Sequence, residues 1–142
     1  MAEPALRRAR AAVALTFALT GLVFGAWLPR LPDVKESLGA SPGSLGVALL
    51  APAIGALAMM APIGRLCARA STGRVTAVAF TLYCVFAALV PLSGSVPALF
   101  ALMLPWGAAV GAGDVAMNAQ AVTVERAYRR PILSSFHAWF NI

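Results

Sequence analysis

Long apolar stretches separated by short charged ones set the pattern of this chain. The first apolar run, 11–28, follows Arg7, Arg8 and Arg10; the second covers 45–63 and the third 75–92. The fourth, 96–120, continues toward Val124 and is interrupted by Pro105, Asp114, Asn118 and Gln120. A last stretch, 132–142, opens after Pro131. About 20 apolar residues in a helix cross a hydrocarbon core of about 30 Å, so the pattern predicts four complete spans and the start of a fifth. The first run is too long for the apolar region of a cleaved leader and lacks a small-residue cleavage site, so it reads as an uncleaved span ending at Trp27 on the far interface. Residues 30–42 read as a polar connector punctuated by Pro29, Pro32 and Pro42. Pro52 and Pro62 are expected to kink the second span.

Composition strengthens this picture. Of 142 residues, 61% are hydrophobic and only 11% charged, against about 25% charged in soluble domains. Too little polar surface remains to cover a globule in water, and the fold class is an all-α integral membrane bundle. The net charge of +6 does not indicate nucleic acid, because the basic residues form no amphipathic stripe. They fall instead in alternate loops. Three lie in the amino-terminal arm, three in the loop after the second run (Arg65, Arg69, Arg74) and three after the fourth (Arg126, Arg129, Arg130), against two (Arg30, Lys35) in the intervening connectors. Nine against two places the amino terminus in the cytoplasm. Cys67 and Cys84 have neither metal-ligand nor disulfide-framework spacing and read as free thiols.

Asp114 is the most informative residue. A carboxylate inside a span is costly unless paired, hydrated or neutralised, and it marks a solute or proton path by default. Asn118, four residues on, shares its helical face. Gly107, Gly111 and Gly113 are expected to allow close helix approach, with Gly107 and Gly111 in the GxxxG spacing. A structural reading stands beside the functional one, in which Asp114 and Asn118 only join helices. In the last segment Ser134, His137 and Asn141 line one face. His137 either makes a proton site with Asp114, since imidazole titrates near neutrality, or is satisfied by a backbone carbonyl. Trp106 and Trp139 are stacking candidates for a solute, though tryptophans in spans mostly pack or anchor. No nucleophilic triad, phosphate loop, zinc site or cofactor motif is present, so an enzyme has no chemistry here.

The whole chain resembles the start of a major facilitator superfamily transporter. The loop Gly64-Arg65-Leu66-Cys67-Ala68-Arg69, followed by Gly73-Arg74, is similar to that family's G-x-L-x-D-R-x-G-R-R motif. Ala68 replaces the usual Asp, and two extra residues precede Gly73, so the carboxylate of the family's closed-state latch is missing. The segment 111–120 with Asp114 and Asn118, then Arg130-Pro131 and 135–140, resembles a bacterial branch related to the fucose permeases. That resemblance implies a protonatable coupling role for Asp114 and a solute or helix contact for Asn118. The first-span acid of the sugar permeases falls at about Ala26, so a fucose-type solute is not implied. The implied partners are the lipid bilayer of a bacterial cytoplasmic membrane, a small solute and protons. The unfinished fifth span is expected to continue into a carboxy-terminal remainder of a twelve-span protein. The alternative is a self-contained four-helix membrane protein with a structural or interaction role. A small multidrug exporter would want a carboxylate in 11–28, which has none.

Overall fold

Prolines decide where the helices of this chain break. The computed structural model describes residues 3–141, all-helical and without strands among them. Helix α1 runs Glu3–Trp27, a short 3-10 turn follows at Leu28–Arg30, and α2 spans Leu31–Ser37. Pro29 and Pro32 stand in the first turns of these segments, where a missing N–H costs nothing. They start helices rather than end them, so most of the stretch read as a polar connector is helical and prolongs α1. The basic arm is also helical: Arg7 pairs with Glu3 one turn back at 2.7 Å.

The second apolar run divides into α3 (Pro42–Ala48) and α4 (Leu50–Cys67), with the break at Leu49. Pro52 has no N–H for the Ala48 carbonyl, and its ring collides with that carbonyl in a regular helix, which places the interruption there. Pro62 stays inside α4 and Pro105 inside the later α6. Ser41 caps α3, its hydroxyl accepting from the Ser44 amide at 3.1 Å. Helix α5 spans Thr72–Leu89 and ends in a 3-10 turn at Val90–Leu92. Ser95 then caps α6 (Val96–Tyr128). This helix runs past the expected boundary and through Glu125, because nothing before the left-handed Arg129 (φ 53°) terminates it. Helix α7 occupies Leu133–Phe140; Ile142, the end of the expected fifth segment, lies outside the described residues.

Four helical stretches are long and apolar enough to cross a membrane: Glu3–Ser37, Pro42–Cys67, Thr72–Leu92 and Val96–Tyr128. At 33 residues α6 is about 50 Å long, more than a hydrocarbon core requires, so its ends project into the headgroups or water. It is also the centre of the bundle: α4 packs most extensively on it, then α5, while α1 touches α6 and α7 and only grazes α5.

The α4–α6 contact is a small-residue seam. A methyl at Gly107 would overlap the backbone of Pro52, and one at Gly55 would lie 2.7 Å from the Ala108 nitrogen. At Gly111 it would come within 2.6 Å of the Ala56 Cα. Such spacing lets two backbones approach until dispersion contacts and weak hydrogen bonds replace side-chain packing. Gly21 does the same on α1, where a methyl would overlap the Phe140 carbonyl of α7. Away from these seams the bundle presents apolar side chains suited to hydrocarbon, with Leu50, Ile54 and Leu57 exposed on α4 and Val78, Leu82 and Val85 on α5.

Candidate functional site

Asp114 stands about 27 Å from the start of α6, near its middle. Gly111, three residues before it, meets α4, and the buried Met117, three residues after, belongs to the cluster that α1 and α7 complete. The carboxylate therefore sits between the two contacts and remains exposed. Its hydrogen-bond partner is Asn118, whose amide nitrogen donates to the carboxylate at 3.0 Å and to the Asp114 backbone carbonyl at 2.9 Å. No cationic side chain pairs with it among the described residues. One carboxylate oxygen is thus engaged and the other has no protein donor.

A narrow chamber adjoins this carboxylate, between α1, α5 and α6. Its polar lining is Thr16, Thr20, Thr76, Tyr83 and Asp114, and the centre of a water molecule finds room over about 10 Å³. Sequence reasoning named only Asp114 here. The signal for the others was present: Thr16 and Thr20 lie one turn apart, and Thr76 and Tyr83 are seven apart on one face of α5. Threonine in an apolar run is inconspicuous, and only the packing shows that the two stripes face each other. Tyr83, fully buried, joins them by donating from its hydroxyl to the Thr20 carbonyl at 3.2 Å.

His137 does not join Asp114. Its Nδ1 lies 3.2 Å from the Leu133 carbonyl oxygen, and its ring meets Phe17 edge-on at 5.0 Å between centroids. Phe17 also stacks on Phe136 at 6.0 Å. Helix α7 thus docks through aromatics, and of the two readings of His137 the contact made is the one with a backbone carbonyl, not the pair with Asp114. Asn141 lies on the His137 face and donates to its carbonyl at 2.9 Å. Trp106 is no open platform: it is buried, 5.1 Å from Trp27 and 5.8 Å from Tyr83 between ring centroids. Trp27 is buried in this cluster, while Trp139 is exposed.

The sequence reading overlooked Glu125. Its carboxylate accepts from the backbone amides of Ile132 at 2.7 Å and Leu133 at 2.6 Å, so a side chain of α6 caps the first turn of α7. Acceptors from outside the helix satisfy amides that have no intrahelical partner. In the basic loop, Gly64 and Arg65 end α4, Arg69 lies in the turn, and Gly73 and Arg74 open α5. The three arginines are exposed. A methyl on Gly73 would stand 3.4 Å from the Gln120 amide nitrogen, so this end of α5 lies close to α6. Cys67 and Cys84 are both free.

Four helical stretches long and apolar enough to cross a membrane, the central one carrying a carboxylate, define a multi-pass membrane protein. The sequence profile of the Major Facilitator Superfamily matches residues 13–142. An uncharacterised MFS-type transporter of Yersinia pestis is 37% identical over 128 residues, covering 90% of this chain and 33% of that protein. An uncharacterised transporter of Sinorhizobium fredii is 34% identical over 130 residues, 92% of this chain and 34% of its own length. The membrane protein MosC of Rhizobium meliloti is 33% identical over 114 residues, 80% and 28% respectively. No solved structure matches. The chain belongs to the Major Facilitator Superfamily, and it spans about a third of the length of these relatives.

Proposed function

We propose that the chain is the amino-terminal portion of a proton-coupled secondary transporter for a small solute. In this reading it lies in a bacterial cytoplasmic membrane with its amino terminus inside. The observation that carries the proposal is Asp114: a carboxylate at mid-helix in the central span, exposed, without a cationic partner and hydrogen-bonded by Asn118. A group so placed is too costly in a merely structural role. Protonation lowers that cost, and a group whose charge changes with position in the cycle is what coupling needs. Membership of a transporter family and transporter-named relatives favour this over a self-contained structural bundle. The similarity of 111–120 to the fucose-permease branch supports the same role for Asp114, with Asn118 as solute contact.

His137 serves as a second proton-binding candidate acting on α1 and α7, separately from Asp114. Gly64, Arg65, Arg69, Gly73 and Arg74 form the cytoplasmic loop, whose charges hold the topology. The test is a solute-uptake screen on the intact gene product in proteoliposomes under a proton gradient. Asp114→Asn should abolish gradient-driven uptake while the protein stays in the membrane. Wild-type uptake by that variant would remove the coupling role.

A further inference from the structure

The chamber beside Asp114 continues into a wider groove. Both are lined by Thr16, Thr76 and Phe80, and the groove adds Gln120 and Gly73 and holds about 270 Å³. Gly73 and Gln120 stand toward the basic-loop end of α5 and α6, so the groove runs from that end to the carboxylate. It passes between α1 and α5, helices that only graze each other.

The hydrogen bonds in this passage select its occupant. Thr16 donates to the Ala12 carbonyl at 2.9 Å, Thr20 to Thr16 at 2.8 Å and Thr76 to Thr72 at 2.9 Å. Tyr83 donates to the Thr20 carbonyl. Each hydroxyl proton is therefore committed to a backbone oxygen, while the hydroxyl lone pairs and one carboxylate oxygen stay open. In the chamber this leaves acceptors without a free hydroxyl donor, which favours a guest that donates, while the wider groove adds the Gln120 amide, which can donate as well as accept. Room for about one water, with several polar partners, is what a buried water requires.

We infer that the α1–α5 groove is an aqueous exit route by which the coupling proton leaves Asp114 toward the basic-loop end, with one water in the chamber as its first carrier. This deepens the proton-coupled reading and rests on it. The step balances simply: the neutral carboxylic acid gives its proton to the chamber water, leaving a carboxylate and a hydronium ion that departs by the groove, and acid at the basic-loop face drives the same step in reverse. Tyr83 is the other titratable side chain lining the chamber, from α5; α1 contributes only Thr16 and Thr20, and on α6 Asn118 stands outside the lining as the hydrogen-bond partner of Asp114. Arg74 and Glu125 stand nearer the loop ends of α5 and α6.

The test uses the intact gene product in proteoliposomes with the basic-loop face outward. Acidification outside should raise a carboxylic-acid C=O band in the infrared difference spectrum that Asp114→Asn removes. Thr16→Trp, which fills the groove, should slow that band at least tenfold after the pH jump and leave its final amplitude unchanged. An unslowed band overturns the route but not the protonation, whereas no band in the wild type overturns the proton reading itself. A spectral change driven by sodium chloride rather than by acid overturns hydronium as the occupant. In a variant with Cys67 and Cys84 replaced by Ser, Thr16→Cys should react with a membrane-impermeant cationic thiol reagent at least tenfold faster than the outward-facing Leu82→Cys. Equal rates contradict an aqueous groove.

Discussion

Helix α6 has two unlike sides. Toward α4 it presents Gly107 and Gly111, set against Pro52 and Ala56 with no room for a methyl. Toward α1 and α5 it presents Asp114, Met117 and Gln120, beside a groove that holds space. The first side fixes a helix pair as one body, because backbones in contact cannot slide without losing the fit. The second side leaves α1 lightly held against α5, the arrangement expected where water or solute must pass. One helix thus joins a rigid seam to a working surface, and variants on its two sides should behave differently.

The largest effect is expected in the seam. Gly107→Ala places a Cβ in the Pro52 backbone, and α4 and α6 must separate to admit it. Overpacking of this kind costs about 1–3 kcal/mol, more than the helix preference of alanine over glycine, about 1 kcal/mol, returns. Thermal unfolding in detergent, followed by the monodisperse fraction, should show a clear fall in midpoint. Asp114→Asn, on the other side, should leave that midpoint unchanged or raised, since it removes an intramembrane charge.

Next comes the joint between α6 and α7. Glu125→Ala removes the acceptor for two backbone amides, and loss of such a cap costs about 1–2 kcal/mol. Amide exchange at Ile132 and Leu133 should accelerate at least tenfold, with the α4–α6 seam unaffected. Comparable acceleration in 104–111 would show that α7 supports the whole bundle rather than docking on it. A smaller change is expected at Tyr83→Phe, which deletes one neutral interhelical hydrogen bond worth about 0.5–1.5 kcal/mol. Its ring stays packed on Trp106, so the loss should be confined to the hold of α5 on α1, read as faster exchange near Thr20.

Much of this architecture was legible in the sequence, for physical reasons that also mark where legibility ended. Length and hydropathy identify spans because a bilayer allows little else. The Gly107–Gly111 spacing foretold a close contact because only glycine permits it. Prolines misled at 28–37, since the same residue starts a helix at its first turn and breaks it inside. Asp114 and Asn118 stood out by their chemistry and are joined as their spacing implied. Pairing across helices was not legible: it depends on which faces meet, so His137 went to Phe17 rather than to Asp114, and Glu125 to the amides of α7. The threonines of the chamber were hidden for the same reason, being ordinary residues made notable by their neighbours.

The smallest effect, and the sharpest contrast, belongs to Gly113→Ala. This glycine, expected with Gly107 and Gly111 to allow close approach, makes none: it lies six residues beyond Gly107 in the same helix but faces α5, where an added Cβ would meet the Ala79 Cβ at 3.8 Å, an ordinary van der Waals contact. Nothing has to move, so the intrinsic preference of the helix for alanine decides the sign. The variant should be neutral or stabilised by up to about 1 kcal/mol, reading as an unchanged or slightly raised unfolding midpoint. Opposite signs at two glycines of one helix would show that close approach is confined to the α4 side of α6. A loss at Gly113 matching that at Gly107 would mean α5 is clamped as tightly as α4, and the contrast between rigid seam and open groove would collapse.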